Sequence, residues 1–189
     1  MEINSQHKKN LLHQVKESYG RIVYTYTCHN KMIARLEKTN QRISVARIIL
    51  SALSSTGFIA TLINDEYWFK IAGGISSTVL LGITLYFKDF SLVDEIESHR
   101  KVFDELWLIK EKYISLMTDF DILPFQEIMT ERKILQEKTY KIYSCSPKTD
   151  RKSYVEAQKA LKVEEEQFFT TNELNEILPS HLRDEKNEK

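Results

Sequence analysis

The stretch ISVARIILSALSSTGFIATLI, residues 43–63, decides how the rest of the chain is read. It is aliphatic enough to enter lipid, yet it carries a row of hydroxyls and one charge, Arg47. Residues 48–63 hold no charge, and neither do residues 71–87. Each run is short of the ~20 residues a helix needs to cross a bilayer. Extending them back to Ile43 and Tyr67 brings in Arg47 and Lys70, whose long stems can snorkel to an interface. Both segments then reach the required ~30 Å at ~1.5 Å per residue. Asn64, Asp65 and Glu66 between them make a connector short enough to join antiparallel helices. Two spans, 43–63 and 67–87, are therefore predicted as a hairpin.

The flanks agree with that reading. Tyr67, Trp68 and Phe69 at one end, and Tyr86, Phe87 and Phe90 at the other, fall where an aromatic belt lies. Lys31, Arg35, Lys38, Arg42 and Arg47 precede the first span and Lys88, Arg100 and Lys101 follow the second, whereas the connector side offers only Lys70. Positive charge stays inside, so both termini are expected in the cytoplasm and the protein in the inner membrane as a multi-pass chain. The competing reading is a soluble protein with two buried core helices, which a negative mean hydropathy favours. That average is set by the polar remainder, which is cytosolic under either reading.

Composition narrows the rest. Five glycines and three prolines in 189 residues favour long helices over many turns. The 27 Lys and Arg balance the 27 Asp and Glu, so no basic field marks a nucleic-acid surface and no direct nucleic-acid contact is expected. Cys28 and Cys145 lie far apart without a C-x-x-C spacing and read as reduced thiols. The first forty residues lack an apolar signal segment, and the N-terminus is expected to stay cytosolic.

Outside the spans, Leu12, Val15, Tyr19, Ile22, Tyr26, His29, Ile33, Leu36, Asn40 and Ile43 recur in steps of three and four, a heptad seam. Gly20 weakens this helix by ~1 kcal/mol against alanine without ending it. The same steps continue through Arg47, Ser51, Ser54, Phe58 and Thr61, so the hydroxyls fall on the packing face. In the second span Gly73, Gly74, Ser77 and Thr78 form overlapping small-x-x-x-small pairs that let helices approach closely. A stripe from Leu92 through Ile96, His99, Phe103, Leu106, Tyr113, Met117 and Phe120 predicts a second long helix, antiparallel to the first. Pro124 breaks it, a further helix covers 125–143, and residues 144–150 read as linker. Residues 153–168 are helical by composition, Thr170 with Glu173 makes a capping box, and the end is a solvated tail. The fold class is an all-α membrane protein: a two-span transmembrane hairpin continued by long cytosolic antiparallel helices. Its parts are an N-terminal heptad helix (1–42), the hairpin (43–87), cytosolic helices (88–143), a linker (144–152) and C-terminal helices with a tail (153–189).

No catalytic constellation is present in the sequence: there is no Gly-rich phosphate loop, H-E-x-x-H motif or nucleophile elbow, so no enzyme, cofactor or metal is expected. Cys28 and His29 are adjacent on a helix and point about 100° apart, which argues against a catalytic pair. His29 reads instead as a polar member of the seam with a buried partner. Glu164, Glu165 and Glu166 read as a solvated face. Arg47 is either a headgroup anchor or a ring of charge at a pore mouth. The candidate pore-lining or helix-packing residues are Arg47, Ser51, Ser54, Thr61, Gly73, Gly74, Ser77 and Thr78. The candidate cytosolic seam is Leu12, Val15, Tyr19, Ile22, Tyr26, His29, Ile33 and Leu36.

The run YGRIVYTYTCHNKMIARLEKTNQRI, residues 19–43, leading directly into two spans, resembles the SLATT family, the SMODS- and SLOG-associating two-transmembrane effector domains of bacterial conflict systems. The ending EAQKALKVEEEQFFTTNELNEILPSHLR, residues 156–183, is similar to the tail of the subgroup found beside reverse transcriptases. Members often carry histidine and glutamate where this chain has Tyr26 and Asn30, so no shared role carries over to those two positions. The resemblance implies a pore-forming or membrane-disrupting effector, silent until a nucleotide- or nucleic-acid-sensing partner releases it, with a reverse transcriptase as one such partner. One hairpin is too little to enclose water, so conduction implies a homo-oligomer. The alternative is a non-conducting membrane-anchored scaffold or sensor.

Overall fold

The computed structural model describes residues 2–63, 67–89 and 91–183; side chains at 2–5, 58, 60–63, 88 and 89 are outside that description, as is the expected connector at 64–66. The regular elements among the described residues are helices: α1 (Glu2–Ile63), α2 (Tyr67–Asp89), α3 (Leu92–Thr118), α4 (Phe125–Cys145), α5 (Arg151–Lys162) and α6 (Thr171–Ile177), with a final 3-10 turn at Ser180–Leu182.

With no proline to interrupt it, α1 runs for 62 residues, roughly 93 Å at 1.5 Å per residue. Its first two thirds pack in a helical bundle. Val15, Ile22, Tyr26, His29 and Ile33 of the expected seam are buried, and Leu12, Tyr19 and Leu36 are half-buried beside them. They face Val102, Leu106, Ile109, Tyr113 and Leu116 of α3 and Ile128 and Leu135 of α4. The seam thus closes the chain's own bundle. Tyr26 stacks on Phe103 with ring centroids 4.2 Å apart, and Glu37 pairs with Arg100, so α1 and α3 run antiparallel. Gln14 accepts from Arg132 and Thr25 from Tyr143, which sets α4 parallel to α1.

The helix ends follow local chemistry. Ser91 caps α3 by accepting from the Asp94 amide, so the stripe expected to continue from the second span restarts as a separate helix. A turn at 119–124 joins α3 to α4, whose N-cap is Pro124. Asp150 caps α5, which starts at Arg151, two residues ahead of the start read from sequence, and α5 stops at Lys162 rather than reaching 168. There Glu165 takes a left-handed φ of 50°, and the Glu166 amide folds back on the Ala160 carbonyl. The Thr170–Glu173 capping box is formed in full at α6.

Beyond residue 43 the architecture inverts. Among the described residues the C-terminal part of α1 packs against α2, antiparallel to it, and the large side chains face outward: Ile48, Ile49, Leu53 and Ile59 on α1, and Ile75, Val79, Leu81 and Leu85 on α2 are all exposed. Among the described residues one helix, α2, is long and apolar enough to cross a membrane, and none of its apolar stretch is buried. The first expected span ends among side chains outside the description; among the described residues the helical hairpin has one helix of crossing character.

Candidate functional site

The contact that closes the hairpin is built from the smallest residues available. A Cβ added to Gly57 would lie 3.0 Å from the Gly73 Cα and 3.4 Å from the Phe69 carbonyl oxygen, so the two backbones meet where any side chain would force them apart. One turn away the hydroxyls of Ser54 and Ser77 touch across the interface. Ser77 gives its single proton to the Gly73 carbonyl at 2.9 Å, which makes Ser54 the donor between the helices. At the bundle end of the hairpin the Arg47 guanidinium lies over the Phe87 ring, 5.6 Å from its centroid, and its buried Nε has no partner among the described residues. An open groove of about 630 Å³ runs beside the Gly57–Gly73 contact, between Ser55 on α1 and Lys70 on α2.

Four further hydroxyls, those of Ser55, Thr56, Thr78 and Thr84, are exposed and satisfied locally. Ser55 donates to the Ser51 carbonyl, Thr56 to Ala52, Thr78 to Gly74 and Thr84 to Leu80, each four residues back. Such bonds need no water, so a hydroxyl-rich segment can sit in lipid with its donors occupied. Ser51, expected on the packing face, is exposed. The side chain of Thr61 lies outside the described residues. Gly73 and Ser77 face α1, whereas Gly74 and Thr78 point away; a Cβ on Gly74 would meet no described atom within 4 Å, and the same holds at Gly82. Gly74, Thr78 and Gly82, spaced by four, therefore form a second small-residue row on the outer face of α2.

Sequence reasoning missed Gly57 and Gly82. The signal for Gly57 was available once the hairpin was set: pairing 47 with 87 and 54 with 77 places 57 opposite 73.

A second polar feature lies in the bundle. His29 and His99 meet with Nδ1 atoms 2.8 Å apart, both almost fully buried. Burial and the neighbouring imidazole push His29 from 6.5 down to about 4. Burial lowers His99 as well, against the carboxylates of Glu95 and Asp150, which act the other way. Asp150 itself is engaged by Arg35 at 2.6 Å and by the Ser153 amide at 2.7 Å, which hold its carboxyl down at about 2. Beside His29, Cys28 is a buried free thiol whose pKa burial raises, the opposite of an activated nucleophile. Among the described residues no three His, Cys, Asp or Glu converge on a point where a metal could sit. Of the three consecutive glutamates, Glu164 pairs with Lys159 and Glu166 with Lys31.

The family model of the SMODS and SLOG-associating 2TM effector domain, family 4, matches residues 11–173. No curated protein and no solved structure matches the chain. The matched region takes in the bundle, both arms of the hairpin and its small-residue contact, and the chain belongs to this SLATT effector-domain family.

Proposed function

We propose that this chain is the membrane-permeabilising effector of a bacterial conflict system, crossing the inner membrane twice through residues 43–63 and 67–87 with its bundle in the cytoplasm. The observation that carries the reading is the unburied apolar stretch of α2. In water so much exposed hydrocarbon would drive aggregation, whereas in a bilayer it costs nothing. The positive flanks at Arg42, Arg47 and Lys88 favour the cytoplasmic side for both termini.

Assembly follows from the outer faces of the hairpin. Lipid gives helices no hydrophobic reason to associate, so close packing at small residues takes over. Gly74, Thr78 and Gly82 offer such a row to a neighbouring subunit, while the exposed Ser51 would border a polar path among several copies. The chain acts without chemistry of its own, and a nucleotide- or nucleic-acid-sensing protein releases it. The similarity of residues 156–183 to the tails of members found beside reverse transcriptases makes such an enzyme the first partner to test. A non-conducting scaffold is the second reading, favoured by the self-satisfied hydroxyls.

Ion flux from liposomes and oligomer size, measured on the same preparation, separate the two readings. Wild-type protein should conduct as an oligomer, and Gly82→Leu should lose both properties. A stable oligomer that never passes ions supports the scaffold.

A further inference from the structure

The bundle and the hairpin share α1, and α3 is the other helix that leads out of the hairpin into the bundle. His99 is the first buried residue of α3, and on α1 only Ile33 is fully buried between His29 and the hairpin. The histidine contact therefore lies near the hairpin end of the interface between these two helices. It is a polar link between buried side chains of α1 and α3, and it lies closer to the hairpin than the Ser18–Tyr113 hydrogen bond between the same two helices.

A 2.8 Å approach of two Nδ1 atoms requires one N–H facing one lone pair, so both rings must be neutral or share a single extra proton. The Nε2 of His99 is buried with no partner among the described residues. An unpaired donor is worse in such a place than an unpaired lone pair, which assigns His99 as the Nδ1–H donor and His29 as the acceptor. A first proton can then add only at the His99 Nε2, creating a buried cation whose new N–H finds no acceptor. A second would put two N–H groups against each other and end the contact.

The surroundings offset the burial of such a charge only in part while the bundle is closed. From α3, Glu95 lies one turn before His99. From the turn before α5, Asp150 is near, but Arg35 of α1 and the Ser153 amide occupy its carboxylate. Cys28 of α1 is buried next to His29, and where α4 packs beside Ser98 and Val102 its titratable groups are Lys141 and Cys145. If α1 and α3 part, water and the free Glu95 carboxylate can solvate an imidazolium.

We propose that the His29–His99 pair is a proton-sensitive latch, which holds α1 against α3 at the base of the hairpin while neutral and releases them when it takes up protons. Its effect on conduction rests on the function proposed above; the latch itself does not. Acidification of the cytoplasm, the expected consequence of a leaking membrane, would then loosen the same bundle that restrains the hairpin.

The test uses full-length protein in liposomes, with spin labels on Lys38→Cys and Lys101→Cys in a Cys145→Ser background. The inter-label distance should lengthen as the pH on the bundle side falls from about 7.5 to about 4, with its midpoint below the ordinary imidazole value of ~6.5. His29→Gln with His99→Gln should abolish the lengthening. An unchanged wild-type distance over this range, or an identical response in the double variant, overturns the latch. Should the variant fail to fold, histidine NMR on the wild type decides: the distance change must coincide with titration of His29 and His99, and a change while both stay neutral overturns the proposal. Lengthening without ion flux leaves the latch standing and defeats the pore instead.

Discussion

The two halves of α1 solve the same packing problem with opposite materials. Below residue 40 the helix buries Val15, Ile22 and Ile33 against Leu106, Tyr113 and Leu135 and turns its charges outward. Above residue 43 it turns Ile48, Ile49, Leu53 and Ile59 outward and packs inward through Ser54 and Gly57. In water, removing apolar area drives association at about 25 cal/mol per Å², so the large residues go inside. In lipid that drive vanishes, and what remains is backbone proximity and a hydroxyl contact. One continuous helix thus records a change of solvent along its length.

The largest effect should come from charging the bundle seam. Ile22→Asp with Ile33→Asp places two carboxylates in an apolar interface, each costing on the order of 4 kcal/mol or more. Urea denaturation of the full chain in detergent should show the bundle unfolded, whereas Ile48→Asp with Ile49→Asp should leave it folded and impair insertion instead. Equal outcomes for the two pairs would erase the contrast between the halves.

Next in size is Gly57→Leu. With only 3.0 Å from its Cβ to the Gly73 Cα, leucine must separate the helices, and a disulfide between Ser54→Cys and Ser77→Cys in membranes should no longer form. Gly74→Leu has open space and should leave that disulfide intact while reducing oligomer size. Were both leucines to behave alike, the two small-residue rows would not be separate devices.

These residues also show what the sequence conveyed. The seam from Leu12 to Ile33 was legible in part because the bundle is an ordinary amphipathic interface: Val15, Ile22, Tyr26, His29 and Ile33 are buried, while Leu12 and Tyr19 are half-buried and Leu11, Ser18 and Val23 are buried beside the stripe. Carrying the same steps into the hairpin predicts Ser51 and Phe58 on the contact; the structure places Gly57 there and has Ser51 exposed, while the Phe58 side chain lies outside the described residues. A 3.5-residue repeat drifts from a 3.6-residue helix by about 20° per heptad, and several heptads separate Leu12 from Gly57. His29 was legible as a seam residue wanting a partner. His99 lies 70 residues away, and no local pattern names it until the antiparallel register is known. The stop at Ser91 went unread because an apolar stripe runs through it, and the capping serine carries a weaker signal than a proline.

Acid provides a smaller and graded contrast. His29 is lowered in the folded chain from 6.5 to about 4, so the unfolded chain binds more protons in that range. Its contribution is fully present above pH 6.5 and is lost as pH falls through about 4. Asp150, held at about 2 against an ordinary 3.8, adds a further loss only below 3.8. Bundle melting followed by circular dichroism should therefore weaken first in the histidine window, and His29→Gln with His99→Gln should flatten that part of the profile. The smallest effect belongs to Ser54→Ala, which removes one interhelical hydrogen bond worth about 0.6 kcal/mol in a membrane. The hairpin disulfide assay, repeated with cysteines at Leu50 and Leu80, should register only a slight loss, and a collapse would show that the hydroxyl pair rather than glycine contact holds the helices.

All of this depends on the hairpin lying in the membrane with the bundle on the cytoplasmic side, and an impermeant thiol reagent tests that most directly. Cys145 is exposed on the bundle, and Asp65 sits in the connector, outside the described residues. In intact spheroplasts Cys145 should stay unlabelled until the membrane is permeabilised, while Asp65→Cys in a Cys145→Ser background should react at once. Labelling of Cys145 in intact spheroplasts, or a connector cysteine that reacts only after permeabilisation, would contradict the account.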